Sequence, residues 1–489
     1  MRIVKALLVL GAFTCVLHAQ QPQREDPIGK YVKIDGRKGP VVLQHVRVID
    51  GTGAAPLEDQ NVLIDGGKIV SVGKAIPPAN ATVLDLTGDT VFPGLVGMHD
   101  HMYYLTRPDM DVTGASEPPV IVPQLGFSSP RLYLGAGVTT LRTTGSVEPY
   151  FDLNLRTMID EGHLIGPHID VTGPYLEGPH AFALEMHQLK DADDARATVD
   201  FWAAQGVTSF KAYMNITRAE LKVAIEEAHK RGLKLTGHLC SITYPEAVEL
   251  GIDNLEHGFF VNTQLDPGKQ PDVCPPTSGN PTLAKMTPDT PEGKALIALL
   301  VEHHVAITST LPVFQSYDPA HLHLQPRVLA AMSAPTREAY LTTRNTELMR
   351  AAANPAAAAD RAKLFKNGMA MERAFVAAGG LLLAGPDPTG DGGTLPGFGD
   401  QREVELLVEA GFTPVEAIKI ATLNGAIYEG RDKTIGSVQA GKNADLVVVK
   451  GNPAADINDI ENTEIVFKDG VGYDSKKLLD SVKGRYGQY

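Results

Sequence analysis

At 489 residues the chain is too long for one small core, and its length predicts about two or three domains or one large barrel with an appendage. Charged residues make up 21% and apolar content is ordinary, which excludes a disordered chain and a coiled coil. The net charge of −14 argues against phosphate backbones and anionic lipid as partners.

The N-terminal "MRIVKALLVLGAFTCVLHAQ" has a basic start (Arg2, Lys5), an apolar stretch and small Ala19 before polar "QQPQRED". This is the anatomy of a signal peptide over 1–19, too short for a comfortable membrane span, although an uncleaved anchor is the alternative. Cys15 raises a lipoprotein signal, but "AFTC" lacks the usual Leu three residues earlier. Cleavage would remove Arg2 and Lys5, make the chain more acidic still, and leave Cys240 and Cys274, enough for a single disulfide. A secreted or periplasmic protein is expected.

From Val41 to Pro93 short alternating strands are punctuated by glycine, as in "VVLQHVRVIDGTG" and "NVLIDGGKIVSVG". "KTIGSVQAGKNADLVVVKG" and "TEIVFKDGVGYD" repeat that texture near the C-terminus. Neither segment holds a core alone, so 20–93 and 431–489 are expected to pair into one small β-sandwich domain. Between them, over 94–430, eight apolar runs alternate with helical stretches: "VFPGLVGMHD", "GVTTLRTTG", "HIDVTGPYLEG", "GVTSFKAYM", "LKLTGHL", "IDNLEHGF", "VAITSTLP" and "GLLLAGPD". "TRAELKVAIEEAHKRG" reads as an amphipathic helix with Thr217 as N-cap and Gly232 closing it. Eight strand–helix repeats predict an α/β fold, a closed (β/α)8 TIM barrel, with a doubly wound open sheet as the alternative. Two connections are long: the Pro-rich 262–292 stretch, a loop or lid, and the largely helical 318–378 stretch, a cap.

In a strand alternate side chains face one way, so His99 and His101 point together and Asp100 points away. At the C-terminal tip of a barrel strand two inward imidazoles form a metal clamp awaiting further ligands. Alone, His-x-His is weak, because paired surface histidines are common. His238, His257 and Asp387 end the fifth, sixth and eighth runs, and Lys211 lies in the buried-looking fourth. Burial is costly for an ammonium and lowers its pKa. Carbamate formation with CO2 resolves that cost; a lysine paired with a carboxylate is the plain alternative.

These residues resemble the metal-dependent amidohydrolase superfamily, including its imidazolonepropionase/prolidase-like and hydantoinase-like members. The likeness runs over nearly the whole mature chain. "FPGLVGMHDH" resembles the first-strand signature, "SFKAYM" is similar to a fourth strand bearing a carboxylated lysine, and "TPVEAIKIATLNGAIYEG" and "IGSVQAGKNADLVVV" resemble the closing segments. The resemblance implies two divalent ions: one held by His99, His101 and Asp387, the other by His238 and His257. Lys211 carbamate and a hydroxide would bridge them. Zinc suits such ligands, with manganese or cobalt as alternatives. It further implies hydroxide attack on a polarised carbonyl, with Asp387 moving the proton to the departing nitrogen.

The chain departs from this pattern at Pro386, where a small hydroxyl residue is usual, and at "YLEGPHAF", similar to a stretch in sugar-amide deacetylases whose glutamate binds a single metal. Glu177 thus competes with Lys211 as the anionic ligand, or else touches substrate. Tyr213 shares the inward face of Lys211 and would donate to a developing oxyanion, or simply pack. His180 would reach the pocket mouth or stay solvated. Arg142 would bind a substrate carboxylate or form a structural ion pair. His321 and His323 make a second His-x-His, read as surface or lid, and "GDGGTLPGFGD" lacks a P-loop ending and reads as a rim beside Asp387.

The leading expectation is an exported metal-dependent hydrolase of amide C–N bonds, acting on dipeptide-like or aminoacyl-amide small molecules, with no nucleic-acid partner and no membrane insertion after cleavage. A homo-oligomer is compatible with it. The alternatives are a deaminase, disfavoured because His238 is followed three residues on by Ser241 rather than glutamate, and a lactone or phosphoester hydrolase. A non-catalytic scaffold is disfavoured because every ligand position is filled.

Overall fold

All eight runs form parallel strands: Leu95–Asp100, Val138–Thr143, His168–Leu176, Ser209–Ala212, Lys234–Gly237, Asn254–Glu256, Ala306–Ser309 and Leu382–Ala384. They hydrogen-bond in chain order in the computed structural model, which describes residues 28–105, 120–183, 185–389 and 393–487. The 1–19 segment with Cys15, and residues 390–392 of the glycine-rich rim, lie outside the described residues.

Strand eight returns to strand one and nearly closes a (β/α)8 TIM barrel. The Asp387 N–H donates to the His99 carbonyl at 3.0 Å. Only glycine fits at 385, because a Cβ there would sit 2.2 Å from the His99 nitrogen. Helices begin where the sequence supplies caps. Arg218–Lys230, Tyr244–Leu250 and Pro414–Lys419 each start with a reciprocal capping box, Thr217/Glu220, Thr243/Glu246 and Thr413/Glu416. Gly232 (φ 70°) follows the first of them in the left-handed region.

The terminal segments pair as expected. Six strands from residues 32–93 and three from 446–474 form one mixed nine-stranded sheet. Its two parts join where Asp89–Pro93 runs antiparallel to Leu446–Lys450. The sheet curls over its own core, including Val46, Val62, Ile64, Val448 and Phe467, and the Ala444 N–H reaches the Gly67 carbonyl at 3.0 Å. What the alternation suggested as a sandwich is thus one continuous sheet wrapped around its apolar face.

Both long connections are ordered. Cys240 and Cys274 form a disulfide that pins the 262–279 loop to the end of strand five. The Asp266 carboxylate accepts from Thr277, Gly279 and Thr282, folding the loop on itself. The second connection supplies the long helices Ala334–Ala353 and Pro355–Ala377. Among the described residues no helix is long and apolar enough to cross a membrane.

Candidate metal centre

Strand register sets the level of the site. Lys211 lies opposite Tyr175 on strand three and Thr236 on strand five, two residues below His238. Alternation brings His99 and His101 inward, while Asp100 shares the space beside Gly97 with Asp400 and stays out of the cluster. At strands six and eight alternation does not operate. His257 (φ 67°) and Asp387 (φ 54°) adopt left-handed backbone conformations that swing their side chains into the mouth. Such conformations cost non-glycine residues ~1–3 kcal/mol each and persist where the surroundings enforce them.

Four strand ends therefore converge with strand four. His101 Nε2 lies 3.0 Å and His99 Nε2 3.6 Å from Asp387 Oδ1, and Lys211 Nζ is 3.1 Å from His99 Nε2. Ring centroids of His99 and His257 are 4.6 Å apart, and those of His238 and His257 are 4.3 Å apart. His99, His257 and Asp387 each offer one ligand atom within 4.8 Å of the other two. Two supporting bonds orient the rings. His99 Nδ1–H donates to Glu256 Oε2 at 2.7 Å, and His257 Nδ1 meets Thr310 Oγ1 at 2.8 Å. Nε2 of each ring is left facing the cluster, and His257 Nε2 is buried without a hydrogen-bond partner. Neutral imidazoles held by outer partners, with a carboxylate beside them, are a donor set that fits divalent ions.

The electrostatics agree. Burial, with Lys211 next, pushes His99 and His238 down, His238 to about 3, and burial with neighbouring imidazoles does the same for His257. The lone pairs are thus available at neutral pH. Burial raises the Asp387 carboxyl, but His99, His101 and Lys211 outweigh it and hold the group well below the usual carboxylate range. Lys211 is pushed down to about 8 by burial, only partly offset by Glu256 and Asp387, so a neutral amine is accessible near physiological pH. Tyr213 packs its ring 4.9 Å from His238, and burial keeps its phenol protonated and able to donate.

Three sequence candidates belong elsewhere. Arg142 forms the structural ion pair of its two readings: it lies beneath the site, 1% exposed, with its guanidinium on Met98 O, Asn254 Oδ1 and Glu256 Oε1. A mid-strand arginine points into the barrel below the rim. Glu177 joins no metal-spaced group among the described residues. Its Oε1 accepts the N–H groups of Asn215 (2.7 Å) and Gly178 (2.8 Å), tying the loops after strands three and four. Burial pushes its carboxyl up to about 7. His180 is exposed on its loop, where its own N–H donates to Gln188. His321 pairs with Glu409, at 2.9 Å, on the periphery. Sequence reasoning missed Glu256 and Thr310, which aim His99 and His257. The clue to Glu256 was an acid in an apolar strand while Arg142, in another, also lacked an evident partner.

A family model described as "Amidohydrolase family" matches residues 90–471. A dihydroorotase from Thermoanaerobacter sp. (strain X514) is 39% identical over 62 residues, which is 13% of this chain and 14% of that protein's length. Among solved structures, a Xaa-Pro dipeptidase with methionine bound in its active site superposes with a TM-score of 0.65 at 20% identity, covering 89% of this chain and 100% of that one. A bottromycin amidohydrolase gives 0.66 at 19% identity, covering 94% of each chain. At such identities the structural likeness concerns the fold.

Proposed function

Because the chain belongs to the amidohydrolase family, we propose that it is an exported metal-dependent hydrolase of amide C–N bonds, with dipeptide-like or aminoacyl-amide substrates. The observation that carries this reading is the convergence of His99, His101, Lys211, His238, His257 and Asp387 at one end of the barrel, with a buried imidazole nitrogen lacking any protein partner. The six side chains would hold two divalent ions, zinc first among them, with Lys211 as its carbamate. Bound ions of this kind activate water and polarise the scissile carbonyl.

The chain's own groups do the rest. Asp387, ionised at neutral pH, accepts the proton of the attacking water and returns it to the leaving nitrogen as the C–N bond breaks. Tyr213 donates to the oxygen that gains negative charge. Glu256 and Thr310 hold His99 and His257 with Nε2 inward. Deamination through a fifth-strand proton shuttle finds no support, since the Ser241 hydroxyl is committed to the Ile216 carbonyl at 2.5 Å. Export is supported by the leader-like N-terminus and the Cys240–Cys274 disulfide, a bond typical of oxidising compartments.

The test is hydrolysis of a panel of dipeptides, N-acyl amino acids and cyclic amides, with esters, lactones and phosphoesters alongside. Amide cleavage that disappears on chelation, returns with zinc, and is absent in Lys211→Ala is expected. Full activity in Lys211→Ala, or cleavage confined to lactones or phosphoesters, rejects the reading.

A further inference from the structure

A second cluster lies at the opposite end of the barrel, where the start of strand three meets the terminal sheet. His168 is the first residue of that strand, Asp445 immediately precedes the Leu446–Lys450 strand, and Asp469 sits in the turn between Thr463–Lys468 and Val471–Asp474. Each offers one ligand atom within 4.8 Å of the other two. Their remaining atoms are already engaged. Asp445 Oδ1 accepts the Asp469 N–H at 2.7 Å, and Asp469 Oδ1 accepts from the Asn443 amide at 3.4 Å.

What is left over points to a ligand. Asp445 is buried (4% exposed), and its Oδ2 has no hydrogen-bond partner. His168 Nε2 lies 2.9 Å from Asp469 Oδ2, yet this buried nitrogen also lacks a directed hydrogen bond, so the ring N–H direction misses the oxygen. A close nitrogen–oxygen approach without a directed bond is expected when both atoms face a common third point. His257 Nε2 at the mouth is orphaned in the same way. Lys468 and Arg37 place positive charge near Asp469, and Asp160 lies 4.0 Å from the outer His168 nitrogen.

The geometry points to a second metal site, formed by His168, Asp445 and Asp469, that takes a divalent ion of the zinc class and staples the foot of the barrel to the terminal sheet. One imidazole and two carboxylates satisfy zinc with a water in the fourth position; tetrahedral bonds of ~2.0–2.1 Å place ligand atoms ~3.3 Å apart, so the His168–Asp469 pair at 2.9 Å would open slightly and the three atoms, now within 4.8 Å, would settle around the ion. The site is structural, because it lies at the N-terminal barrel face, away from the mouth. It does not depend on the function proposed above.

The experiment counts metal in the full chain after chelation, zinc reloading and desalting. Wild type should hold one equivalent more than Asp445→Asn or His168→Gln, and both variants should keep the wild-type circular dichroism spectrum and the mouth's metal content. His101→Ala/His257→Ala, which strips a ligand from each proposed mouth ion, should retain the foot equivalent, and zinc should raise its Tm by ~2–4 °C, a rise absent when Asp445→Asn is added. Anomalous diffraction at the zinc edge should place a peak among the three side chains. Equal metal counts in wild type and the foot variants overturn the proposal, as does a peak confined to the mouth. So does a Tm that answers to pH but not to zinc, which marks a protonated His168 bridging the carboxylates.

Discussion

Two layers of one barrel, only a few ångströms apart, treat charge in opposite ways. In the lower layer Arg142, Glu256, Asn254, Thr236 and Thr308 hydrogen-bond to one another, while Arg142 Nη1 makes no hydrogen bond and its guanidinium lies 5.2 Å over the Tyr428 ring. Asn254 Oδ1 alone accepts from Arg142 (2.9 Å), Thr236 (3.0 Å) and Thr308 (3.1 Å), and its amide donates to the Leu255 and Ala306 carbonyls. In the upper layer six ionisable side chains crowd together, and His257 Nε2 is left over. Buried polar groups are normally paired, so a largely closed network reads as structure, and ligand-type atoms of six ionisable groups crowded at one mouth read as a place for something else. Glu256 belongs to both, taking Arg142 on one oxygen and His99 on the other.

Removing the upper layer's proton carrier breaks the contrast most severely. Asp387→Asn should lower kcat/KM for amide cleavage by ~10²–10⁴. Its Tm should stay close to that of wild type, because the lower layer is untouched. Glu256→Gln attacks the hinge between the layers. It leaves Arg142 without its buried counter-charge, which costs ~3–5 kcal/mol. It should also weaken metal affinity ~10–100-fold by freeing His99 to rotate. Thermal unfolding and metal titration check both effects; a stable variant with unchanged metal affinity would show that the layers are independent. A third, smaller test concerns the wall. Cys240→Ser/Cys274→Ser opens a covalent link spanning 34 residues. It should destabilise the protein by ~2–5 kcal/mol, read by denaturant unfolding, with metal stoichiometry preserved.

The contrast also explains what the sequence could disclose. The eight strands were legible because each is a short apolar run between turn signals, and His99 and His101 because period-two alternation leaves no choice of face. His257 and Asp387 were legible as strand ends, but not the left-handed turns that aim them, since alternation would have sent His257 to the face opposite Glu256. For Arg142 the sequence leaves substrate binding and a structural ion pair both open, because its partner lies 114 residues away on strand six. The His168–Asp445–Asp469 cluster was out of reach for the same reason: its members meet only once the terminal sheet has docked under the barrel.

The smallest expected effect concerns Glu177, which belongs to neither layer yet is buried beside the mouth. Its carboxyl is raised to about 7, chiefly by burial, against an ordinary value of 4.5. Between those pH values the folded chain holds a proton that the unfolded chain has released, so stability falls as pH rises through that window and levels off above it. Glu177→Gln removes the titration while its amide oxygen can still accept from Asn215 and Gly178. The variant should therefore match wild type near pH 4.5, gain on it steadily up to pH 7, and keep a constant advantage beyond. Because Glu177 joins no metal-spaced group among the described residues, metal stoichiometry should not change. A variant that instead lost bound metal would move Glu177 into the upper layer, as the anionic ligand that Lys211 is proposed to supply.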